Sequence, residues 1–246
     1  MKNLLSNPIT DILSSLILYI LLGLIFGISF IPAGLLFHLF KSDFTSLTAV
    51  IYNILLLGIC AYLFIVSGLL TFGFFEKIFS LGLKPGKYDV GSFAFYHWLI
   101  MGSIHTVNIN LFLPMTIGSA ATKLYYKIIG IKIGKNVFIN TVGLHDGYLL
   151  EIGDNVVIGG RTEITCHIFE KGTLILDKVH VGNNVLIGAN CYIMPGASIS
   201  DNCDISANSV IKKGKKIEEK SVIMPIPSLS IKEVAFFSSL IKKKNN

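Results

Sequence analysis

Charge is what this 246-residue chain has least of: 15% of its residues are Asp, Glu, Lys or Arg, against 52% hydrophobic. That balance lies outside the soluble globular range. Between residues 1 and 75 the only acids and bases, apart from His38, Cys60 and a few tyrosines, are Lys2, Asp11, Lys41 and Asp43. A soluble domain of that length is excluded, and the first third of the chain is expected to meet lipid. Arginine is nearly absent, with Arg161 alone, which argues against nucleic-acid binding, where clustered arginine alternates with aromatics. The net charge of +6 sits mostly in the second half and suits a surface near anionic headgroups. The four cysteines, Cys60, Cys166, Cys191 and Cys203, show no C-x-x-C spacing, so neither a zinc nor a disulfide framework is expected. Reduced thiols point to a domain facing the cytosol.

What the chain has instead is a period of six. Val181, Ile187, Ile193, Ile199, Ile205, Ile211, Ile217 and Ile223 form an unbroken aliphatic row that neither a helical period nor strand alternation produces. Three residues after each aliphatic come Asn184, Asn190, Gly196, Asn202, Asn208 and Gly214, types that tolerate left-handed backbone at a tight corner. Four after it come the small or short Val185, Cys191, Ala197, Cys203 and Ser209. A triangular coil needs one large and one small inward residue per side, with a corner between sides, so the fold predicted is a left-handed parallel β-helix. Ile133, Ile139, Ile152, Ile158 and Ile164 extend it backward with one residue inserted near 145–150. Val181 follows Ile164 by seventeen residues rather than eighteen, which predicts a one-residue loss of register between 169 and 180 without a large inserted loop.

Residues 12–40 and 44–75 lack Asp, Glu, Lys and Arg apart from Lys41 and Asp43 between the two runs, and each exceeds the ~20 residues that cross a bilayer. They predict a transmembrane helical hairpin, with Pro32 kinking or ending the first helix. The first helix is too long for a signal peptide and is expected to be retained. Lys2, Lys77, Lys84 and Lys87 outweigh Lys41, which puts both ends of the hairpin, and the β-helix, on the cytoplasmic face of a bacterial membrane. Residues 90–122 also lack charge, but carry His97, His105, Asn108, Asn110 and Pro114. They read either as a third span or, in preference, as amphipathic helices lying in the interface, with Phe93, Phe95, Tyr96 and Trp98 as its aromatic belt. The expected domains are a hairpin at 1–87, interfacial helices at 88–130, the β-helix at 131–228, and an amphipathic helix with a basic tail at 229–246.

His167 stands three positions after Ile164, a corner place, from which an imidazole projects outward and can take a proton near neutral pH. Glu170 is the candidate to orient it. His145 and Asp146, one coil earlier, either line the acceptor side or close a turn before Gly147. Cys166 is an unconvincing nucleophile because nothing nearby lowers its pKa. His38, His97 and His105 read as too isolated for a proton relay.

The segment CHIFEKGTLILDKVHVGNNVLIGANCYIMPGASISDNCDISANSVI resembles the core of the hexapeptide-repeat acyltransferases, trimers of left-handed β-helices that use an acyl thioester donor. The resemblance implies that His167 is the general base and that the backbone around Gly188 and Ala189 helps hold the thioester or oxyanion. Asn184 completes the expected substrate-binding set of His145, Asp146, Asn184, Gly188 and Ala189. More widely, KYDVGSFAFYHWL, NLFLPMTIGSAATKLYYKIIGIKIGKNVFINTVGLHDGYLLEIGD and TCHIFEKGTL resemble the membrane-bound C-terminal regions of ε-poly-L-lysine synthetase-like proteins. Those hold three such domains in tandem; here there is one, which implies a homotrimer, and a carrier protein as a possible partner. Leu186, where many soluble relatives have an aromatic, and Met224-Pro225-Ile226-Pro227-Ser228, in place of a G-x-P-A element, depart from the coenzyme-contacting pattern. The donor expected is therefore acyl-CoA or a carrier-bound phosphopantetheine thioester, with no metal. Two alternatives stand beside this: a non-enzymatic trimeric membrane scaffold, and a zinc enzyme like the γ-carbonic anhydrases using His145, His167 and His180.

Overall fold

A computed structural model of the protein describes residues 8–225; the expected amphipathic segment at 229–246 lies outside them. Helix α1 (Pro8–Phe40) runs through Pro32 without ending there, and α2 (Leu47–Ser80) returns beside it. Ser46 caps α2 by accepting the Ala49 amide at 3.2 Å, and Asn53 clasps the connecting loop through both the N–H and the carbonyl of Ser42. Phe30 stacks on Phe64 at 3.9 Å between ring centres, and the Ser67 hydroxyl donates to the Ser29 carbonyl. Within these helices, Ser15–Phe40 and Leu47–Ser80 are long and apolar enough to cross a membrane.

Residues 88–130 pack along the C-terminal half of α2. Helix α3 (Phe93–Val107) continues as a π-turn over Asn108–Phe112 and a short 3₁₀ turn at Leu113–Met115. It runs antiparallel to the C-terminal half of α2: His97 lies near Phe79, His105 beside Glu76, and the Asn108 amide donates to the Leu69 carbonyl. At the far end Phe112 fills the space left by Gly68, where any side chain would collide with the ring. The chain then turns back as α4 (Ala120–Ile128), which returns Tyr125 to the level of Glu76. The reason is polarity: Asn108, His105 and Thr122 are buried polar groups, and the Asn108 amide N–H, the His105 imidazole and the Thr122 hydroxyl each find a partner by packing inward, while Asn108 Oδ1 has none among the described residues.

The β-helix follows as three parallel faces. Ile133, Ile152, Val181, Ile199 and Ile217 stack on the first face, Ile139, Ile158, Ile187, Ile205 and Ile223 on the second, and Ile164, Ile193 and Ile211 on the third, where Leu144 bridges to Ile164. Each side chain fully buried in these stacks contributes about 1.5–3 kcal/mol. The corners hold asparagine at positive φ, and Asn136, Asn155, Asn184 and Asn202 pass amide hydrogen bonds up one edge at 3.0–3.1 Å. Gly188 is required where its backbone presses on Ala207 of the next coil.

The register argument for 169–180 is corrected. Ile164 ends the third face and Val181 resumes the first, and between them the chain leaves the barrel altogether. His167–Glu170 and Thr173–Leu176 pair as an antiparallel hairpin, closed by Lys171 and Gly172, both at positive φ as a two-residue hairpin turn demands. A third strand, Gly86–Asp89, pairs antiparallel with Thr173–Leu176. Because that strand joins α2 to α3, the hairpin ties the barrel to the helices. The inserted residue near 145–150 appears as a 3₁₀ turn at Gly147–Leu149, entered by Asp146 in the left-handed region at φ 55°.

Removing a rung should test the stacking directly. Ile187→Ala is expected to cost about 2–5 kcal/mol, whereas Leu186→Ala, on the exposed side of the same strand, should cost well under 1 kcal/mol. Denaturant unfolding of the two variants in the same detergent checks the difference.

Candidate active site

The joint between helices and barrel positions a buried carboxylate. Asp146, on the coil corner after Leu144, is 3% exposed, and its two oxygens are used separately. Oδ1 accepts the Trp98 indole N–H of α3 at 2.9 Å, and Oδ2 lies 2.6 Å from His167 Nδ1 at the base of the hairpin. Trp98 also packs its ring against the imidazole with centres 4.8 Å apart. Burial opposes ionisation of Asp146, but the His167 hydrogen bond and charge, with the Trp98 donor, outweigh it and hold the carboxyl below its ordinary value. With Nδ1 committed to Asp146, His167 Nε2 has no hydrogen-bond partner among the described residues. The imidazole lines a cavity of about 350 Å³ together with Trp98, Met101, His105 and His145.

A second set of groups borders the same cavity. Glu76 of α2, 2% exposed, accepts from the Tyr125 hydroxyl and contacts His105 Nδ1 at 3.1 Å. His105 Nε2 meets His145 Nδ1 at 3.2 Å, and His145 Nε2 meets Glu163 at 2.7 Å. Three hydrogen bonds in series need three protons, one more than two neutral imidazoles supply. His105 is therefore not isolated: it lies within a chain of ionisable groups running from buried Glu76 of α2 to half-buried His145 and Glu163 of the barrel.

The structure brings His145, Asp146 and His167 together and separates the others. Glu170 does not orient His167; it faces Lys213 in an ion pair at the far end of the hairpin strand. The orienting carboxylate is Asp146, because the hairpin swings residues 168–170 away from the barrel corner. Asn184, Gly188 and Ala189 lie at other corners of the same protomer, away from His167. Asn184 is engaged in the asparagine ladder, and the Gly188 N–H donates to the Ile205 carbonyl at 2.7 Å, so it is not an open oxyanion donor in this protomer. His180 is exposed on the first face and approaches Glu151, so it does not join His145 and His167. Among the described residues no group of three His, Cys, Asp or Glu is arranged to hold a metal ion. Cys166 is fully buried, and burial together with the Asp146 charge pushes its thiol well up. Trp98, His105 and Glu76 were not legible as site residues; the signal for them was polarity inside an apolar stretch, Glu76 ending one charge-free run and His105 standing within another.

The coiled barrel of six-residue repeats defines a class, and sequence comparison agrees on the repeats. Residues 178–213 match the family described as bacterial transferase hexapeptide (six repeats), and residues 150–185 the family described as hexapeptide repeat of succinyl-transferase. Residues 150–213 of the chain thus carry hexapeptide repeats, and the chain is similar to hexapeptide-repeat acyltransferases. It is 25% identical over 150 residues to a delta-poly-L-ornithine synthetase of Acinetobacter baumannii, covering 58% of this chain and 11% of that protein. It is 33% identical over 112 residues to galactoside O-acetyltransferase of Escherichia coli, covering 42% of this chain and 54% of that one. The chain thus spans about half the length of the acetyltransferase and about a tenth of the synthetase. A maltose O-acetyltransferase structure from Clostridium difficile is similar at 20% identity and TM-score 0.41, over 60% of this chain and 90% of that one.

Two outcomes follow from the buried groups. Glu76→Leu leaves the Tyr125 hydroxyl and His105 Nδ1 without their acceptor and should destabilise the protein by about 1–3 kcal/mol or more, while Glu76→Gln, which keeps an acceptor oxygen, should cost less; thermal unfolding ranks them. Because the Asp146 carboxyl is held below its ordinary value, its stabilisation is present above the unfolded carboxylate pKa and is lost as pH falls through the lowered folded value. The stability gap between wild type and Asp146→Asn should therefore be full at neutral pH and shrink on acidification below about pH 4, as followed by denaturant midpoints across pH.

Proposed function

We propose that this protein is a membrane-anchored acyltransferase that moves an acyl or aminoacyl group from a thioester to a hydroxyl or amine, with His167 as general base. The observation that carries this reading is the Asp146–His167 pair: a buried carboxylate 2.6 Å from Nδ1 fixes the tautomer and turns Nε2 toward a cavity. In the reaction Nε2 takes the proton of the acceptor O–H or N–H as that atom attacks the thioester carbonyl. The tetrahedral intermediate then collapses, the C–S bond breaks, and the imidazolium returns the proton to the departing thiolate. Asp146 is a positioning residue, stabilising the imidazolium between these steps.

The donor is a CoA or carrier-protein phosphopantetheine thioester, supported by the superfamily and by the synthetase and acetyltransferase relatives. The active assembly is a homotrimer in which a neighbouring barrel closes the cleft at His167; this would also give Asn184, Gly188 and Ala189 a place in the site, contributed across the interface. The two long apolar helices support membrane anchoring, and the excess of Lys2, Lys77, Lys84 and Lys87 over Lys41 supports a barrel on the cytoplasmic side of a bacterial membrane.

His167→Ala should lower transfer by about 10²- to 10⁴-fold, and Asp146→Asn should lower kcat while leaving donor KM near wild type. Cys166→Ser should leave transfer largely intact. Thiol release from acetyl-CoA and from an acyl-carrier thioester, measured with the purified protein and candidate acceptors, checks this; full activity in His167→Ala would remove the mechanism.

A further inference from the structure

Helix α3 presents two adjoining hollows. Trp98, Met101, Gly102 and His105 face the cavity at His167, while Tyr96 and Ile100 face a groove of about 480 Å³ whose other wall is Ser15, Ile17, Leu18 and Leu21 of α1. Leu99 and Ser103, one helical turn apart, line both. The groove exists because α1 and α3 each pack on α2 with a cleft between them, and Leu18 and Leu21 put it on the outer flank of the helical part, near the end of α1 from which the barrel side is reached. Among the described residues, Tyr96 is the only ionisable one in its lining.

We propose, resting on the acyl-transfer reading above, that the acceptor is a membrane-embedded amphiphile: its hydroxyl or amine sits at His167 and its hydrocarbon tail passes over Leu99 and Ser103 into the groove between α1 and α3. Two arguments select this occupant. A phosphopantetheine arm carries several amides that would lose water against Ile17, Leu18 and Ile100, with only the Ser15, Ser103 and Tyr96 hydroxyls in the described lining to replace it, whereas a hydrocarbon chain loses nothing. And the base must touch the molecule it deprotonates, so an acceptor with its reactive end at His167 has its tail within reach of the groove across Leu99 and Ser103. The groove flanks a helix of the length and composition that cross a bilayer, so the tail enters from the membrane without leaving lipid.

The test uses the full chain in phosphatidylcholine nanodiscs, with acetyl-CoA and acetyl-pantetheine as donors and a series of 1-alkanols and 1-alkylamines from two to twelve carbons as acceptors. In the wild type kcat/KM should rise about threefold to fourfold per methylene until the groove is filled. Leu18→Trp and, separately, Ile100→Trp fill the groove without touching the His167 cavity. They should flatten that rise while transfer to the two-carbon acceptors stays within about twofold. An unchanged rise in both variants means that chain length acts through bilayer partition alone, and overturns the proposal. A rise that instead follows the donor, from acetyl to lauroyl thioesters, and flattens in the variants assigns the groove to the acyl chain and also overturns it. In either case the acyl-transfer reading stands if His167→Ala abolishes transfer; transfer undiminished in His167→Ala overturns that reading instead. If no acceptor in the series is acylated, a diazirine-bearing 1-dodecanol in the same nanodiscs decides. Labelling concentrated on residues 15–21 and 96–103, and lost in Leu18→Trp, supports the proposal; labelling spread along the outer faces of α1 and α2 overturns it.

Discussion

Asp146 is the point at which three parts of the chain are forced into register. A carboxylate that is 3% exposed must be paired or pushed to its neutral form, and its partners come from different places: Trp98 from α3 and His167 from the root of the hairpin. Neither partner is set by the hexad pattern. If the helical part moved relative to the barrel, the Trp98 donor would be lost. If the hairpin swung, the imidazole would go, and in both cases a buried charge would be left with half its contacts. The requirement to keep that charge satisfied converts a mechanical joint into a fixed geometry, and the fixed geometry gives His167 a defined tautomer.

The hairpin shows why a joint is needed at all. A stacked barrel is quasi-one-dimensional, each coil touching only its neighbours, and nothing in the repeat specifies how it meets a pair of apolar helices. The excursion between Ile164 and Val181 supplies that specification, since its second strand pairs with Gly86–Asp89 directly after α2. Phe169 adds a side-chain contact, its ring lying against Phe95 and Trp98 of α3. The same excursion carries His167 at its root, so the segment that docks the barrel also places that imidazole beside Asp146.

The parts of the fold legible from sequence were those with a period. The rows through Ile187 and Ile193, the asparagine corners and the two charge-free helices each follow from a local rule repeated many times. The hairpin broke the rule without announcing itself, because Ile168, Leu174 and Leu176 kept the segment aliphatic and the interval to Val181 missed three hexads by a single residue. The turn Glu170-Lys171-Gly172-Thr173 was the available signal, a glycine-containing pair between alternating residues. In the site, His167 and Asp146 were legible as residue types at corners, but their pairing was not, since it spans twenty-one positions and depends on the excursion. Glu170 was the natural partner by proximity in sequence; strand geometry alternates and extends, and carried it to Lys213 instead.

The series Glu76–His105–His145–Glu163 gives the joint a second consequence. A helix that buries Glu76 in an otherwise apolar environment is destabilised unless that group is bonded on every side, and the donors available are Tyr125 from α4 and His105 from α3. His105 in turn reaches across to His145 on the barrel corner, adjacent in sequence to Asp146. Both ends of the short run His145-Asp146 are therefore held by α3, one by an imidazole and the other by an indole, and neither hold can relax without disturbing the other. A barrel released from its helices would keep its stacked rungs, since those are satisfied coil by coil, but Asp146 and His145 would each lose a partner. The surroundings of His167 consequently depend on the helices for more than attachment: Trp98 and His105 complete the hydrogen bonding of Asp146 and His145, and the barrel alone does not contain them.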